Sequence, residues 1–338
     1  MKKVLACLFT DLHISDLNCQ TCVDFIEKMC SYIKEKNIKT LFFNGDFFES
    51  RKGISGDVLY YTLKIAKMLN SLNIQIIFNY GNHDLYNPNE HEKGLLNIFT
   101  PFENIKIIEQ PHKLLLDNFR IFFMPYFEGE CLENKLKELS EISEKKNDKK
   151  SILLSHLGYE QLTAEVTKNF DLLLNGHFHD IEKFPKGMYI GSCFQQNFSE
   201  DKYKGFSILY DDLSVEQILF ESKEYIVQSI DLNIFTEEKA KEFIISFKKK
   251  YKDKYLRIEL KGFNKDVSAL KDFCRQNNVD CISKIEILSD KDNQDEDRIT
   301  ISTLSSEQIE KYYQDFKNNQ TYSIEVDNIL KNLLFKKN

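Results

Sequence analysis

The sequence of 338 residues has little glycine and proline, 12 and 5 residues, and no tryptophan. This scarcity excludes collagen-like and low-complexity chains, which are rich in glycine or proline. No apolar run approaches the ~20 residues that a membrane-spanning helix needs, so no membrane partner is expected. Hydrophobic residues make up 42% and charged residues 29% of the chain, which is typical of a globular protein of about two domains.

Positive charge is also scarce for a protein that would bind nucleic acid on its own. The chain has 46 lysine and arginine residues against 53 aspartate and glutamate residues, a formal net charge of −7. Free-standing nucleic-acid binders usually carry a basic excess instead. The acidic excess lies entirely within residues 1–222, which is the pattern that a cluster of metal-binding carboxylates would produce.

The chain has eight cysteines but no sign of a secreted disulfide framework. Its first residues, MKKVLACLFTDLH, show no cleavage site after the short apolar run, so we interpret them as a β-strand rather than a signal peptide. These features predict reduced thiols and a cytoplasmic location. The CxxC spacing at Cys19 and Cys22 has no second pair, so we interpret it as two ordinary thiols rather than a zinc site.

Apolar runs alternate with helical patterns over the first two thirds of the chain. Strands are predicted at residues 3–9, 40–43 and 74–80, separated by helices at residues 21–36 and 56–72. This β-α-β-α-β order favours an α/β fold with parallel strands. Further strands are predicted at residues 105–109, 119–124, 151–155, 171–175, 204–210 and 214–220, the last two as a hairpin.

The composition changes near residues 221–224, where we place a domain boundary. The second region is predicted to be a small α+β unit followed by helices. Its elements are helices at residues 236–250 and 267–277, strands at 255–260 and 282–288, and closing helices at 305–318 and 323–335.

Five short polar motifs each follow a predicted strand. In chain order they are Asp11-Leu12-His13, Gly45-Asp46, Gly81-Asn82-His83-Asp84, Ser155-His156 and Gly176-His177-Phe178-His179. Functional groups in α/β sheets gather beyond the carboxyl ends of strands, so we expect the motifs to meet at one site. In an extended chain residues i and i+2 point to the same side, which would direct Asp11 and His13, and likewise His177 and His179, into that site.

The motifs supply more ligands than one metal ion needs. Two aspartates, one asparagine and four or five histidines fit two ions that share a bridging carboxylate. Mixed oxygen and imidazole donors suit manganese, iron or zinc, whereas calcium and magnesium prefer oxygen alone. A single histidine of this kind is more often structural, but five ordered motifs together favour a metal site. His91 and His112 follow no such pattern and are interpreted as surface residues.

The ordered set DxH, GD, GNHD, H and GHxH resembles the calcineurin-like metallophosphoesterase superfamily. The stretches NGDFFESRKGIS, GNHDLYNPN, MPYFEGE, NGHFH and YIGSCFQQNFSEDKYKGF look closest to its SbcD-type DNA repair nucleases, and among these to nuclease subunits of T-even phage recombination complexes. The resemblance implies a layered αββα sandwich over residues 1–222. It also implies a smaller α+β capping, DNA-binding domain over 223–300 and C-terminal helices over 301–338.

The resemblance also implies a role for each motif residue. One metal ion would be held by Asp11, His13, Asp46 and His179, and the second by Asp46, Asn82, His156 and His177. Asp46 would bridge two divalent ions, most often manganese, with magnesium, iron or zinc as alternatives. His83 would contact the scissile phosphate and protonate the leaving oxygen, and Asp84 would orient His83. Glu49 departs from the pattern, because many cellular members have a histidine there.

The implied function is metal-dependent hydrolysis of DNA, as a duplex exonuclease and also a single-strand endonuclease, in recombination, repair and replication. The implied partners are DNA, an SMC-like ATPase of the SbcC type bound by the C-terminal helices, and a second copy of the chain. The host would be a bacterial cell or a phage-infected one. Basic residues proposed to contact DNA are Arg51, Lys52, Lys248, Lys249 and Lys250, although the lysine run is equally typical of a solvated helix end.

Two other functions share parts of this pattern. A metallophosphodiesterase acting on small nucleotides would have every one of the same metal ligands, and the additional C-terminal domain argues against it. A non-catalytic scaffold subunit could retain the fold alone, but it would have no need for the complete set of clustered polar residues.

Overall fold

The computed structural model describes residues 2–144, 149–232, 234–261 and 267–284. All of them belong to one compact unit, Met1–Glu286. The helices predicted at residues 305–318 and 323–335, and with them the whole predicted C-terminal region 301–338, lie outside the described residues.

The first part of the described chain alternates strands with helices. Its elements, in order, are β1 (Val4–Phe9), α1 (Cys19–Glu35), β2 (Thr40–Asn44), α2 (Gly56–Asn70), β3 (Gln75–Asn79), β4 (Ile105–Ile108), β5 (His112–Leu116), β6 (Phe119–Met124), α3 (Gly129–Ser143), β7 (Lys150–Ser155), α4 (Ala164–Thr167), β8 (Leu172–Asn175), β9 (Glu182–Phe184), β10 (Gly187–Tyr189), β11 (Gly205–Tyr210) and β12 (Val215–Leu219). Short 3₁₀ turns lie at His91–Lys93, Leu95–Phe99 and Tyr159–Gln161.

These strands form two six-stranded sheets. The first has the order β12-β11-β1-β2-β3-β4, and its strands β1 to β4 are parallel. The second has the order β5-β6-β7-β8-β10-β9, with β6, β7, β8 and β10 parallel. Antiparallel strands complete both sheets, including the predicted hairpin of β11 and β12. Parallel strands point their carboxyl ends to one edge, which is where a site would assemble.

The sheets stack face to face with helices outside. Leu8, Phe42 and Ile77 of the first sheet share one buried apolar cluster with Phe123 and Leu154 of the second. A second cluster joins the outer face of the first sheet to α1 and α2, and a third joins the second sheet to α3. The order of layers is therefore αββα, which confirms the predicted sandwich.

The helices form because their apolar residues recur at helical spacing, and the first turns of α2, α4 and α5 (Glu237–Lys250) are also capped by a side chain. The α2 helix begins after Ser55, whose hydroxyl accepts a hydrogen bond from the Val58 N–H at 3.1 Å. Such caps satisfy one of the backbone donors that a helix start leaves free. The α1 helix turns one stripe into the core, formed by Cys22, Val23, Phe25, Ile26, Met29 and Ile33. None of the described helices is long and apolar enough to cross a membrane.

A third, smaller sheet follows. It contains β13 (Tyr225–Asp231), β14 (Tyr255–Lys261) and β15 (Asp280–Lys284), all parallel, joined by α5 (Glu237–Lys250) and α6 (Val267–Gln276). Strands and helices thus alternate in this region, whereas the expected α+β arrangement would separate them. The apolar faces of both helices and the sheet form their own core.

Several predicted boundaries need correction. The last strand begins at Asp280 rather than at residue 282, because it pairs with β14 from Arg257 onward. Strands β5, β9, β10 and β13 were not expected. His91 is buried rather than on the surface, between the rings of Tyr80 and Phe127, and burial lowers its pKa to about 4.

Candidate metal centre

The predicted ligands meet beyond the carboxyl ends of five parallel strands, three from the first sheet and two from the second. They follow their strands in this order: Asp11 and His13 after β1, Asp46 after β2, Asn82 and His83 after β3, His156 after β7, and His177 and His179 after β8. The structure therefore brings together every ligand that the motifs predicted.

Buried asparagines hold the two sheets together at this edge. Asn44 Nδ2 at the end of β2 donates to the carbonyl oxygens of Ser155 (2.7 Å) and Leu174 (3.1 Å) on the other sheet. Asn79 Nδ2 at the end of β3 donates to the Met124 carbonyl at 3.0 Å. Buried polar groups need such partners, and here they set the separation of the two halves of the site. Three apolar strands, β2, β3 and β8, end in asparagine, but that pattern does not identify the partners of these side chains on the other sheet.

The backbone of the ligands is not extended, contrary to the expectation from i and i+2 spacing. Asp11, His13, Asp46 and His177 have φ values of 51°, 48°, 61° and 83°. Residues other than glycine rarely adopt this left-handed region, and such strain concentrates at functional sites. The side chains of the DxH and GHxH motifs therefore converge because of tight turns after the strands.

Glycines let these turns approach one another closely. A Cβ atom at Gly45, where φ is +101°, would overlap His156 Nδ1, and one at Gly81 would overlap the Asp46 carboxylate. Only glycine leaves room for a neighbouring ligand at these positions. The glycines that precede Asp46 and Asn82 in the motifs are thus part of the construction of the site.

The first group of donor atoms surrounds Asp11. Its Oδ1 lies 3.7 Å from His13 Nε2, 3.8 Å from His179 Nε2 and 4.0 Å from His156 Nε2. This oxygen is buried and has no hydrogen-bond partner among the described residues. An unpaired buried carboxylate oxygen is costly unless a cation compensates it. The arrangement fits a divalent ion between Asp11 and the histidines.

The second group surrounds Asp46 and shares members with the first. Asp46 Oδ2 lies 3.1 Å from His156 Nε2 and 3.5 Å from His13 Nε2. Because His13 also belongs to the first group, the Asp46 carboxylate stands between both groups, in the position of a bridging ligand. Three overlapping sets of donors within 4.8 Å of one another cover Asp11, Asp46, His13, His83, His156 and His179.

Asn82 points its side-chain oxygen into the second group. This oxygen faces only acceptor atoms, namely Asp46 Oδ2 at 3.3 Å and His156 Nε2 and His177 Nδ1 at 3.2 Å each. Such a placement is unfavourable without a cation and is what an amide ligand requires. If the amide were reversed, its nitrogen would donate to these three atoms and its oxygen would accept from Arg51 Nη2 at 2.5 Å. The two orientations suit the site with and without a cation.

Two of the histidines present Nε2 to the site because Nδ1 is hydrogen-bonded elsewhere. His156 Nδ1 lies 2.8 Å from the Asn44 carbonyl oxygen, and His179 Nδ1 lies 2.8 Å from Glu200 Oε1. His13 Nδ1 lies at ion-pair distance from Glu49 Oε2, 2.8 Å, without hydrogen-bond geometry. Acceptors at Nδ1 keep the proton there and leave Nε2 free as a ligand. Glu49 and Glu200 were not predicted to support ligands, and no motif in the sequence marks either of them.

The electrostatics of the site favour a cation. Burial opposes a charge on His156, yet the Asp46 and Asp11 carboxylates outweigh it and raise the pKa of His156 to about 9. Burial alone would raise the pKa of Asp46, but the neighbouring His156 and His13 hold that pKa well below its usual range. Carboxylates that stabilise the cationic form of a neighbouring histidine this strongly also stabilise a metal ion, which competes with the proton for the same Nε2 atom.

Asp84 is held differently from the role that the resemblance implies, whereas His83 lines the cleft beside the donor groups. His83 Nδ1 lies 2.7 Å from the Glu49 carbonyl oxygen, and this contact orients the ring. Asp84 instead accepts backbone hydrogen bonds at 2.8–3.2 Å from Gly81, Asp46, Phe47 and Phe48. Asp84 therefore fixes the turn that carries Asp46, and the described hydrogen bonds give it no contact with the His83 ring.

An open cleft of about 550 Å³ leads to the ligands and to His83. Arg51 lies beside the Asn82 amide but is not among the residues that line the cleft, and Lys52 is exposed next to Arg51 in the chain. The predicted lysines at positions 248–250 form the last turn of α5 instead. They do not line this cleft, and cations in a last helical turn stabilise the helix dipole.

The Calcineurin-like phosphoesterase family model matches residues 7–180 of the chain, just over half of its length. The chain belongs to this family. It is therefore a metal-dependent hydrolase of phosphate esters, built on the dimetal sandwich of calcineurin-like phosphoesterases, and its donor groups are candidates for the two ions.

The individual proteins that resemble this calcineurin-like phosphoesterase are distant from it in sequence. Exonuclease subunit 1 of Enterobacteria phage T4 is 25% identical over 182 residues, which cover 50% of this chain and 52% of that protein. The chain thus spans about half the length of that relative. A dimetal phosphatase from Danio rerio is 12% identical, covers 62% of this chain and 93% of its own, and has a TM-score of 0.47. Nuclease MPE from Pseudomonas putida is 16% identical, covers 52% and 62%, and has a TM-score of 0.28.

We expect Glu200→Gln to weaken metal binding without unfolding the chain. The Glu200 carboxylate holds His179 Nδ1, and its other oxygen accepts the Gln196 N–H at 3.0 Å. Loss of a carboxylate that orients a ligand histidine typically costs ~10- to 100-fold in metal affinity. Calorimetric titration of metal-free protein with Mn²⁺ measures this. Glu165→Gln, in the short exposed helix α4, is the matched control, and equal affinities of both variants would contradict the assignment.

Proposed function

We propose that the chain is a metal-dependent DNA nuclease, an exonuclease on duplex ends with a second, endonuclease activity on single strands. The observation that carries this proposal is the convergence of two donor groups on one bridging carboxylate, Asp46, with the His83 ring beside them in an open cleft. The phage T4 relative is an exonuclease subunit, which supports nucleic acid as the substrate class.

The chain's own residues perform the chemistry around the ions. When bound, two divalent ions supply the Lewis acidity that lowers the pKa of water and offsets charge on the phosphate. The oxygen of water forms a bond to phosphorus and one water proton passes to solvent, while the P–O bond to the leaving oxygen breaks. His83 keeps one proton on Nδ1 against the Glu49 carbonyl and gives another from Nε2 to the leaving oxygen. His83 later regains from solvent the proton that it gives. His179 and His13 stay oriented by Glu200 and Glu49.

DNA binding by an acidic chain needs local cations and help from partners. Arg51 beside Asn82 and the exposed Lys52 are proposed to contact the phosphate backbone. Dense DNA charge is repelled by a net charge of −7. We therefore propose that an SMC-like ATPase supplies further attraction and binds residues 301–338, in recombination, repair and replication. Co-purification of the ATPase with the full chain, but not with a chain ending at residue 300, would support this.

A second copy of the chain is also proposed as a partner. Leu59, Tyr60 and Leu63 form an apolar patch on one face of α2 and are 39%, 65% and 37% exposed. Sedimentation velocity would report the dimer, and Leu63→Glu should shift it to monomer. The eight free cysteines fit the reducing cytoplasm of a bacterial or phage-infected cell, where we propose the chain acts.

End-labelled linear duplex DNA with Mn²⁺ tests the nuclease proposal. We expect release of nucleotides from one labelled end, which gives the polarity, and internal cuts in a single-stranded circle. Asp46→Ala should release nothing. Hydrolysis of small nucleotide diesters with no cutting of either DNA, with or without the ATPase, would contradict the proposal and favour the small-substrate phosphodiesterase.

A further inference from the structure

Two tyrosines of the small third sheet form one wall of the cleft that contains His83. Tyr225 and Tyr255 lie opposite each other at the start of the parallel pair β13–β14. Their rings stack with centroids 4.4 Å apart and planes 27° apart. Both rings line the same cleft as the metal ligands and His83, so a substrate strand bound at the ions passes beside them.

Tyr225, the inner tyrosine of the pair, is held by contacts with neighbouring residues, and these contacts keep the stacked pair in place. The rings of Tyr225 and Phe198 pack edge to face with centroids 4.9 Å apart. The backbone N–H of Tyr225 donates to Gln195 Oε1 at 3.1 Å. The guanidinium of Arg257 covers Phe198 at 4.1 Å. The same loop continues to Glu200, the residue that orients His179. The stacked pair is therefore positioned by the structure that also positions a metal ligand.

Tyr255, the outer tyrosine of the pair, is accessible to solvent, and a lysine lies over its ring. Tyr255 is 37% exposed, and Lys223 Nζ lies 4.0 Å from its ring centroid. Among the described residues that line the cleft, Lys223 is the one lysine or arginine. Leu17, 92% exposed, adds a further apolar surface to the lining. An apolar wall with a single mobile cation suits a ligand that has both a flat ring and a phosphate.

We propose that Tyr255, stacked on Tyr225, and Lys223 form a subsite for one unpaired nucleotide of the substrate strand. The base stacks on the ring face that the Lys223 ammonium covers, and the flexible lysine moves to the phosphate of that nucleotide. This inference rests on the proposed nuclease function and names the part of the strand that is recognised. Every base has a π-face, so the subsite tolerates any sequence but requires an unpaired base.

Abasic substitution tests the subsite without changing the protein. A single abasic residue is moved stepwise along a single-stranded oligonucleotide, and KM is measured with wild type for each position. We expect one position near the cut to raise KM about 10-fold, within the roughly 5- to 150-fold range of base–aromatic stacking. A KM that does not depend on the position of the abasic residue would overturn the proposal.

Variants then assign the effect to the ring. Tyr255→Leu keeps an apolar side chain without a π-face, and we expect it to raise KM on the intact strand about 10-fold with kcat little changed. At the sensitive position it should no longer distinguish a base from an abasic residue. Tyr255→Phe keeps the π-face and should still distinguish a base from an abasic residue at the sensitive position. Tyr203→Ala, at an exposed tyrosine outside the cleft lining, should behave as wild type. A purely structural role of Tyr255 predicts equal losses on intact and abasic strands.

Two further measurements separate this inference from the proposed function. Lys223→Gln should reduce the slope of log affinity against log salt by about 0.7, the contribution of one phosphate contact on a single strand. Fluorescence anisotropy in EDTA measures strand binding without cutting. Base-dependent binding by a chain that cuts no nucleic acid would uphold the subsite and refute the nuclease. Cutting that does not depend on the abasic residue would uphold the nuclease and refute the subsite.

Discussion

Replacing Asp46 by alanine is expected to remove bound metal and hydrolysis together. Asp46 Oδ2 lies 3.1 Å from His156 Nε2 and 3.5 Å from His13 Nε2, between the two donor groups. The other oxygen of Asp46, Oδ1, accepts a hydrogen bond from the backbone N–H of His83 at 2.8 Å. The same side chain therefore also holds the turn that carries His83, the proposed general acid. Because electrostatic stabilisation of the transition state is usually the largest catalytic contribution, we expect a loss of at least ~10³-fold.

The measurement combines metal content with rate. Ions per chain are counted by mass spectrometry after loading with Mn²⁺, and hydrolysis is followed on a p-nitrophenyl phosphodiester. Asp46→Asn keeps the shape but not the charge and should fall between wild type and alanine. Asp24→Ala, an exposed aspartate of α1, is the control for folding and loading. Two ions per chain in Asp46→Ala would refute the bridging position.

The donors of the site were predictable because each lies directly after an apolar strand. Asp11, Asp46 and His156 come directly after parallel strands, whose carboxyl ends share one edge of a sheet. The alternation of strands and helices in the sequence predicts that the strands are parallel. The left-handed turns were not predictable from alternation, since an extended chain at Asp11 and His13 would satisfy the same spacing. The alternation indicated an α/β fold with parallel strands, whereas the αββα sandwich was implied by the family resemblance.

The residues that support the donors were beyond the reach of sequence patterns. Glu200 meets His179 across 21 positions, and Asn44 meets Ser155 across 111. Such contacts exist only after both sheets have stacked, so no local spacing marks them. Glu49 looked like a missing histidine, yet it provides a carboxylate to His13 and a carbonyl to His83.

The missed elements have equally physical causes. Strand β5 (His112–Leu116) is an edge strand whose residues are only half-buried in alternation, and β9 (Glu182–Phe184) is three residues long. Neither leaves a clear apolar run in the sequence. His91 lies in a polar stretch but is buried by tertiary packing against Tyr80 and Phe127, which composition does not reveal.

His83→Ala is expected to retain both ions and lose most turnover. The proposed general acid contributes ~10²- to 10⁴-fold, so kcat on DNA should fall by that factor. The loss should be smaller on a p-nitrophenyl diester, because its leaving group is stable as an anion and needs little protonation. Steady-state rates on both substrates, with metal content, measure this. His112→Ala, a partly exposed histidine, serves as the matched control.

The two substrates decide between acid and ligand, since geometry alone allows both. A ring nitrogen of His83 lies within 4.8 Å of donor atoms of His13 and Asp46, close enough to share an ion. If His83 were a ligand, His83→Ala would lose metal and slow both substrates equally. Glu49→Gln sharpens the contrast, because it leaves the backbone carbonyl that orients His83 in place. Glu49→Gln should weaken metal binding, because it alters the contact to His13. It should keep the wild-type difference in rate between the two substrates, because the contact to His83 remains. The side chain and the carbonyl of Glu49 thus separate metal binding from proton transfer.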